Sequence, residues 1–173
     1  MIVDKKIENK KIAKEYKELL KISYQTLHEK DKKLIRLAFD TAVDAHSNQR
    51  RRSGEPYVFH PIKVAKIVAS EIGLDSTSIA AALLHDVVED TKYTLKEIKN
   101  IFGLKVTKIV KGLTKISNLK KDTEISEQAE NFRKMLLTIS KDVRVIIIKI
   151  ADRLHNMQTL DFMPEHKQIK TAS

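Results

Sequence analysis

An all-α helical bundle is what this sequence predicts, on three observations. Apolar residues recur at intervals of three and four along most of the chain. Glycine and proline together number only seven in 173 residues, too few for the many turns of an all-β protein. No glycine or proline falls between Gly112 and Pro164, which leaves room for long helices.

The elements follow in order. Residues 5–28 predict a polar amphipathic helix, with Ile7, Ile12, Tyr16, Leu19 and Leu20 recurring among many lysines. A second helix is expected over 31–50, with Asp31 as N-cap and Leu34, Leu37, Ala38, Ala42 and Ala45 on one face. Gly54 and Pro56 make RRRSGEPY, residues 50–57, a loop. Pro61 sits where a helix begins, a position that tolerates it; that helix runs to about Glu71 and Gly73 closes it. Asp75 or Ser76 starts a helix through STSIAAALLHDVVED. Thr94 caps a short helix ending near Gly103, and a further helix covers about 104–116. Residues 117–125 are polar and read as a loop. The run VRVIIIKI is β-branched enough for a strand. The spacing Val143, Ile146, Ile147, Ile150, Leu154, Met157 fits a helix better.

Composition narrows the function classes. One domain is the expectation at this length, preceded by an N-terminal helical segment over 1–24, with the domain proper over 25–173. The absence of cysteine excludes disulfides, thiolate metal sites and a cysteine nucleophile, and is compatible with a cytoplasmic location. No apolar run approaches the roughly 20 residues that span a bilayer. The net charge of +10 invites an anionic partner. Aromatics are only 5% and are not interleaved with Lys or Arg, so a phosphorylated small molecule fits better than nucleic acid.

Three segments carry chemistry. The run IAAALL leads into His85-Asp86, and Glu89 and Asp90 follow one helical turn on. Four ionisable groups reached from a buried apolar run are costly without compensation, and a divalent cation compensates. The same spacing fits a helix end emerging into solvent with His85 hydrogen-bonded in the core. In IKIADRLHNM, Asp152 follows another apolar run, with His155 and Asn156 three and four residues on. Either Asp152 or His155 is a candidate ligand; the bland reading pairs Asp152 with Lys149 or Arg153. His60, between Phe59 and Pro61, is a third candidate, though a lone histidine there is more often structural. Two histidines and two aspartates form a mixed N/O set suited to Mn, Fe or Zn. The loop Arg50-Arg51-Arg52-Ser53 offers guanidinium groups for phosphate. Between Lys99 and Lys121 lie seven lysines and no acid, read as a solvated face. His28, His46 and His166 are assigned to structure or surface.

The blocks RRSGEPYVFHP, AALLHDVVEDT, FG followed by LTK, and AENFRKMLLTISKDVRVIIIKIADRLHNMQTL resemble the hydrolase domain of the RelA/SpoT homologue family, over about residues 25–170. The resemblance implies an HD-domain helical bundle binding Mn²⁺, with His60, His85, Asp86 and Asp152 as metal ligands. Glu89 and Asp90 match the acidic pair of hydrolytically competent members. Arg51, Arg52, Ser53, Asn156 and Thr159 match nucleotide-binding positions; Arg52 stands where the family commonly has Lys. The implied reaction removes the 3′-pyrophosphate of the guanine nucleotides ppGpp and pppGpp, giving GDP or GTP. Synthetase motifs are absent from this sequence, so the resemblance implies either the hydrolase portion of a longer synthetase/hydrolase or a hydrolase-only protein; residues 117–160 resemble the long members and favour the first. Competing readings are an HD phosphohydrolase acting on a dNTP or NADPH, and a non-catalytic alarmone-sensing module.

Overall fold

The computed structural model describes residues 5–23, 27–119, 141–162 and Gln168. Among these residues there are helices, one isolated β-bridge and no strand. The helices are α1 (Lys5–Ser23), α2 (Glu29–Ala45), α3 (Phe59–Ser70), α4 (Ser76–Leu83), α5 (Val87–Asp90), α6 (Leu95–Leu119) and α7 (Arg144–Gln158), followed by a 3-10 turn, Leu160–Phe162. The all-α expectation holds.

The core lies along α3 and α4. α3 packs against α1, α4 and α7, while α4 packs against α2, α3, α6 and α7. Every residue of α4 except Thr77 is buried, which explains a helix made of small and aliphatic side chains without a polar face. Asp75 caps it by accepting from the Ser78 amide at 2.9 Å. Leu83 is fully buried at its end, so Leu83→Ala is expected to cost about 2–5 kcal/mol of folding stability. Chemical denaturation measures this; a loss below about 1 kcal/mol would mean that the site collapses around the smaller side chain.

The polar helix α1 joins the same core through Ile12, Tyr16 and Leu19, and Tyr16 stacks on Phe39 with centroids 4.2 Å apart. Ile7 lies on the exposed side, unlike the expected face. In α2, Asp31 is not the N-cap. His28 holds that position, and Asp31 sits in the first turn, its carboxylate accepting from the His28 amide at 3.0 Å. α2 ends at Ala45 rather than 50 and buries Ile35, Ala38, Phe39, Thr41 and Ala42, leaving Leu37 exposed.

The segment RRRSGEPY forms a tight turn. Arg50 bridges antiparallel to Pro56, the Arg51 amide donates to the Glu55 carbonyl, and Gly54 takes φ 86°, a conformation that favours glycine. This turn delivers Tyr57 and then His60 into the first turn of α3.

The stretch STSIAAALLHDVVED is not one helix. α4 stops at Leu83, Leu84 to Asp86 form a turn, and α5 begins at Val87. The reason is local competition for a carbonyl. His85 Nδ1 lies 2.8 Å from the Ala82 carbonyl, the acceptor that a continuing helix would offer to the Asp86 amide. Thr94 caps α6 as expected, in a box with Glu97. Gly103 (φ 74°, ψ −178°) breaks α6 where two helices were expected. The helix continues past 116 to Leu119; the rest of the expected 117–125 loop lies outside the described residues.

The β-branched run VRVIIIKI is helical, as expected, but the buried face is different. α7 buries Val145, Ile148, Ala151, Asp152 and His155. Val143, Ile150, Leu154 and Met157 of the expected face are exposed.

Candidate metal centre

Three elements meet at one point: the first turn of α3 brings His60, the turn between α4 and α5 brings His85 and Asp86, and the middle of α7 brings Asp152. His60, His85 and Asp152 each direct one donor atom into a cluster spanning no more than 4.8 Å. His60 Nε2 lies 3.1 Å from Asp152 Oδ1 and 3.7 Å from Asp86 Oδ2. His85 Nε2 lies 3.0 Å from Asp86 Oδ2 and 3.8 Å from Asp152 Oδ1. Donors about 2.1 Å from a shared ion stand about 3.0–3.4 Å apart at square or tetrahedral angles. The spacing therefore fits a divalent cation with little adjustment.

The fit has a second support. His85 is buried, and its Nε2 faces the carboxylates of Asp86 and Asp152. Because Nδ1 is given to the Ala82 carbonyl, which only accepts, Nδ1 carries the proton and Nε2 presents a lone pair in the neutral ring. A buried imidazole fixed by a carbonyl on one side and facing two carboxylates on the other is the arrangement a divalent ion would satisfy.

The electrostatics show the same convergence. Burial opposes charge on His85, but Asp86 and Asp152 outweigh it and push its pKa up to about 9. Burial alone would raise Asp86 and Asp152; the imidazoles reverse this and hold both well below the usual carboxylate range. Asp152 is also pinned from two other sides. Lys149 Nζ lies 3.1 Å from its Oδ2, and Asn156 Nδ2 donates to its Oδ1 at 2.8 Å. Both expectations for Asp152, candidate ligand and partner of Lys149, thus describe different oxygens of one carboxylate.

A cavity of about 350 Å³ opens beside the cluster. It is lined by Arg51, Arg52, Ser53, His60, Asp86, Asp90, Asp152, Asn156 and Thr159 from the sequence expectations. His85 sits behind it, in the core. Arg51 Nη2 donates to Asn156 Oδ1 at 3.1 Å and to Thr159 Oγ1 at 3.2 Å, tying the turn to α7. Arg50, also on the cavity wall, is committed elsewhere: its guanidinium grips the Glu8 carboxylate of α1 at 2.8 and 3.0 Å. Two of the three arginines, Arg51 and Arg52, therefore remain for a ligand.

Glu89 is half-buried and its Oε1 has no hydrogen-bond partner. Burial raises its carboxyl above the ordinary range. Burial, then the neighbouring Asp86, raises Asp90 as well.

Sequence reasoning missed Tyr57 and did not see where His46 and His155 stand. Tyr57 donates its hydroxyl to Asp86 Oδ2 at 2.7 Å and stands 3.4 Å from Asp90 Oδ2. Its position three residues before His60, one turn away, was the available signal. His46 is buried against the Tyr57 ring, with centroids 4.7 Å apart, and pairs with Gln49. His155 does not join the ligand cluster; its Nδ1 faces His60 Nδ1 at 2.8 Å. Burial first, then His60, Arg51 and Lys63, push its pKa down to about 4. His28, assigned to structure or surface, is the exposed N-cap of α2 where Asp31 was expected, and His166 lies outside the described residues.

An all-α protein with paired histidines and aspartates at a buried centre, beside a cationic cavity, is the class that fold and site define. The chain belongs to the HD-domain family, whose model matches residues 38–173. Its relatives bear out the expected likeness to RelA/SpoT homologues. One, from Synechocystis, is named probable guanosine-3′,5′-bis(diphosphate) 3′-pyrophosphohydrolase and is 48% identical over 139 residues, 80% of this chain. Another, a Brucella ovis protein named GTP pyrophosphokinase rsh, is also 48% identical over 139 residues. This chain spans 18% of the length of each. Among solved structures, a metazoan ortholog of SpoT, described as hydrolyzing ppGpp, matches with a TM-score of 0.62 and 25% identity, covering 84% of this chain and 81% of that one. No helix among the described residues is long and apolar enough to cross a membrane.

Proposed function

We propose that this domain is a Mn²⁺-dependent guanosine-3′,5′-bis(diphosphate) 3′-pyrophosphohydrolase. Water adds to the 3′-pyrophosphate of ppGpp, the bond to the ribose 3′-oxygen breaks, and GDP and pyrophosphate leave. The observation that carries this reading is the meeting of His60, His85, Asp86 and Asp152 at the edge of a cavity carrying Arg51 and Arg52. The names of the relatives supply the substrate class.

These four side chains would hold the ion, and their mixed N/O donors suit Mn²⁺. When bound, the ion supplies charge neutralisation for phosphate and makes a water more acidic. The remaining chemistry belongs to the chain. Glu89 and Asp90 orient the attacking water and accept its proton, a role for which raised carboxyl pKa values are apt. Tyr57 holds Asp86 and stands between it and Asp90. Arg51 and Arg52 bind phosphate or stack on guanine, Ser53 lies beside them, and Asn156 and Thr159 receive the ribose or a phosphate at the far wall. The cationic turn needs no nucleic acid to account for it.

Mixing the protein with Mn²⁺ and ppGpp and following GDP and pyrophosphate tests the reading. No turnover, with both ion and ppGpp shown to bind, defeats it and favours the alarmone-sensing alternative. Faster turnover of a dNTP or NADPH favours the other-nucleotide alternative. Arg51→Ala is expected to raise KM roughly 10- to 150-fold, the equivalent of about 1.5–3 kcal/mol for a hydrogen bond to a charged group. Ion affinity should hold within a few-fold. Steady-state kinetics and calorimetric ion titration check both halves.

The same proposal places the domain in a longer chain that also carries a synthetase, since its relatives are several times longer and some are named GTP pyrophosphokinase. A cytoplasmic location is part of the same proposal, and a chain without cysteine is compatible with it.

A further inference from the structure

His60 and His85 face the same point with Nε2 but are supported differently behind it. His85 leans on a backbone carbonyl, which can only accept. His60 leans on a second imidazole, His155, with the two Nδ1 atoms 2.8 Å apart and the rings tilted by 35°. Both rings are buried. Two neutral imidazoles in this contact share one proton between their Nδ1 atoms, so one donates and the other accepts.

The two assignments have different consequences at the cluster. If His155 donates, His60 Nε2 carries the other ring proton and points it at Asp152 Oδ1, 3.1 Å away. If His155 accepts, His60 Nδ1 carries the proton and Nε2 presents a lone pair, the form that ligates a metal. The first arrangement satisfies the cluster without an ion and the second satisfies it with one. A carbonyl behind His60 would leave only the second.

We propose that His155 is a positioning residue that sets the tautomer of His60, donating to its Nδ1 in the ion-free protein and accepting from it when a divalent cation is held. The change is balanced. One proton crosses from His155 Nδ1 to His60 Nδ1, His60 Nε2 releases its proton to solvent, and His155 Nε2 takes one up, so the pair keeps two protons throughout. His155 thereby keeps the His60 ring hydrogen-bonded in both states and holds its orientation between them.

This inference rests on His60 being a ligand, and the experiment separates the two. Zn²⁺ is the probe, being diamagnetic and suited to the same donors. Calorimetry compares wild type, His60→Ala, His155→Phe and His155→Gln, with circular dichroism confirming the helical fold. His155→Phe fills the space without a polar atom and is expected to weaken Zn²⁺ binding about 10- to 100-fold. His155→Gln, whose amide both donates and accepts, should recover to within about threefold of wild type. In ¹⁵N-histidine-labelled wild type, the His60 signals should change from Nε2-protonated to Nδ1-protonated on adding Zn²⁺. Should His155→Phe fail to fold, this spectrum and the Gln variant still decide. Wild-type affinity in His155→Phe, or an unchanged His60 tautomer despite a loss in His60→Ala, overturns the role of His155 alone. Full affinity in His60→Ala overturns the ligand assignment as well.

Discussion

Asp152→Ala is expected to abolish turnover and to weaken divalent-ion binding by more than about 100-fold, beyond what loss of an outer-shell partner costs. Its Oδ1 stands 3.1 Å from His60 Nε2 and 3.8 Å from His85 Nε2, and its loss would leave Asp86 as the one carboxylate of the four-residue set. The loss reaches further than one ligand. Lys149, whose charge Asp152 and Asp86 sustain against burial, would lose its ion pair at 3.1 Å. Asn156, which donates to the same carboxylate and accepts from Arg51, would lose its anchor, so the cavity wall should loosen too. Calorimetric titration with Mn²⁺ and a product assay measure the two effects. Near-native ion affinity in this variant would show that Asp152 is held for packing and not for an ion.

Glu89→Gln combined with Asp90→Asn should have the opposite profile: ion binding within a few-fold of wild type, and a rate lower by about 10²–10⁴, the span ordinarily attributed to a positioned acid or base. Glu89 presents a buried oxygen without a protein partner and Asp90 lines the cavity; neither stands among the four donors. The sign of the pH dependence follows from their raised pKa values. A carboxylate acts as base only when ionised; burial shifts ionisation of Glu89 to higher pH, and partial desolvation with the neighbouring Asp86 charge does so for the more exposed Asp90. The rate should therefore rise with pH through a limb lying above the ordinary carboxylate range, and that limb should disappear in the double variant. Measuring kcat/KM across acidic to neutral pH decides it. A double variant as fast as wild type would remove the pair from the chemistry and leave a binding module.

Much of the fold was legible because it is written in local terms. The Thr94 cap, the Asp75 cap and Gly103 are short-range signals acting within one turn, and each marks a helix boundary in the structure. The face of α7 was not legible. VRVIIIKI is apolar on nearly every side, so periodicity cannot choose among its faces. The choice falls to what α3 and α6 offer, and they take Val145 and Ile148 while Val143 and Ile150 face outward. Nor was the break after Leu83 legible, since no glycine or proline marks it. It arises because the His85 ring claims a carbonyl of the preceding turn.

The site divides in the same way. Residue types left Asp152 and His155 both open as ligands, and the family resemblance implied His60, His85, Asp86 and Asp152; neither gave a means of seeing that Arg50 is spent on Glu8 or that His155 backs His60. By itself the sequence determined the helical class, most helix boundaries and the inventory of donors, because propensity, capping and side-chain chemistry act over a few neighbouring residues; the family it carried as a resemblance of ordered motifs. Only the tertiary structure decided which faces are buried, which oxygen of Asp152 meets the imidazoles and which histidine stands behind which. Those are distances between residues up to 95 positions apart in the chain, and they are set by how α3, the α4–α5 turn and α7 pack, not by any window of sequence.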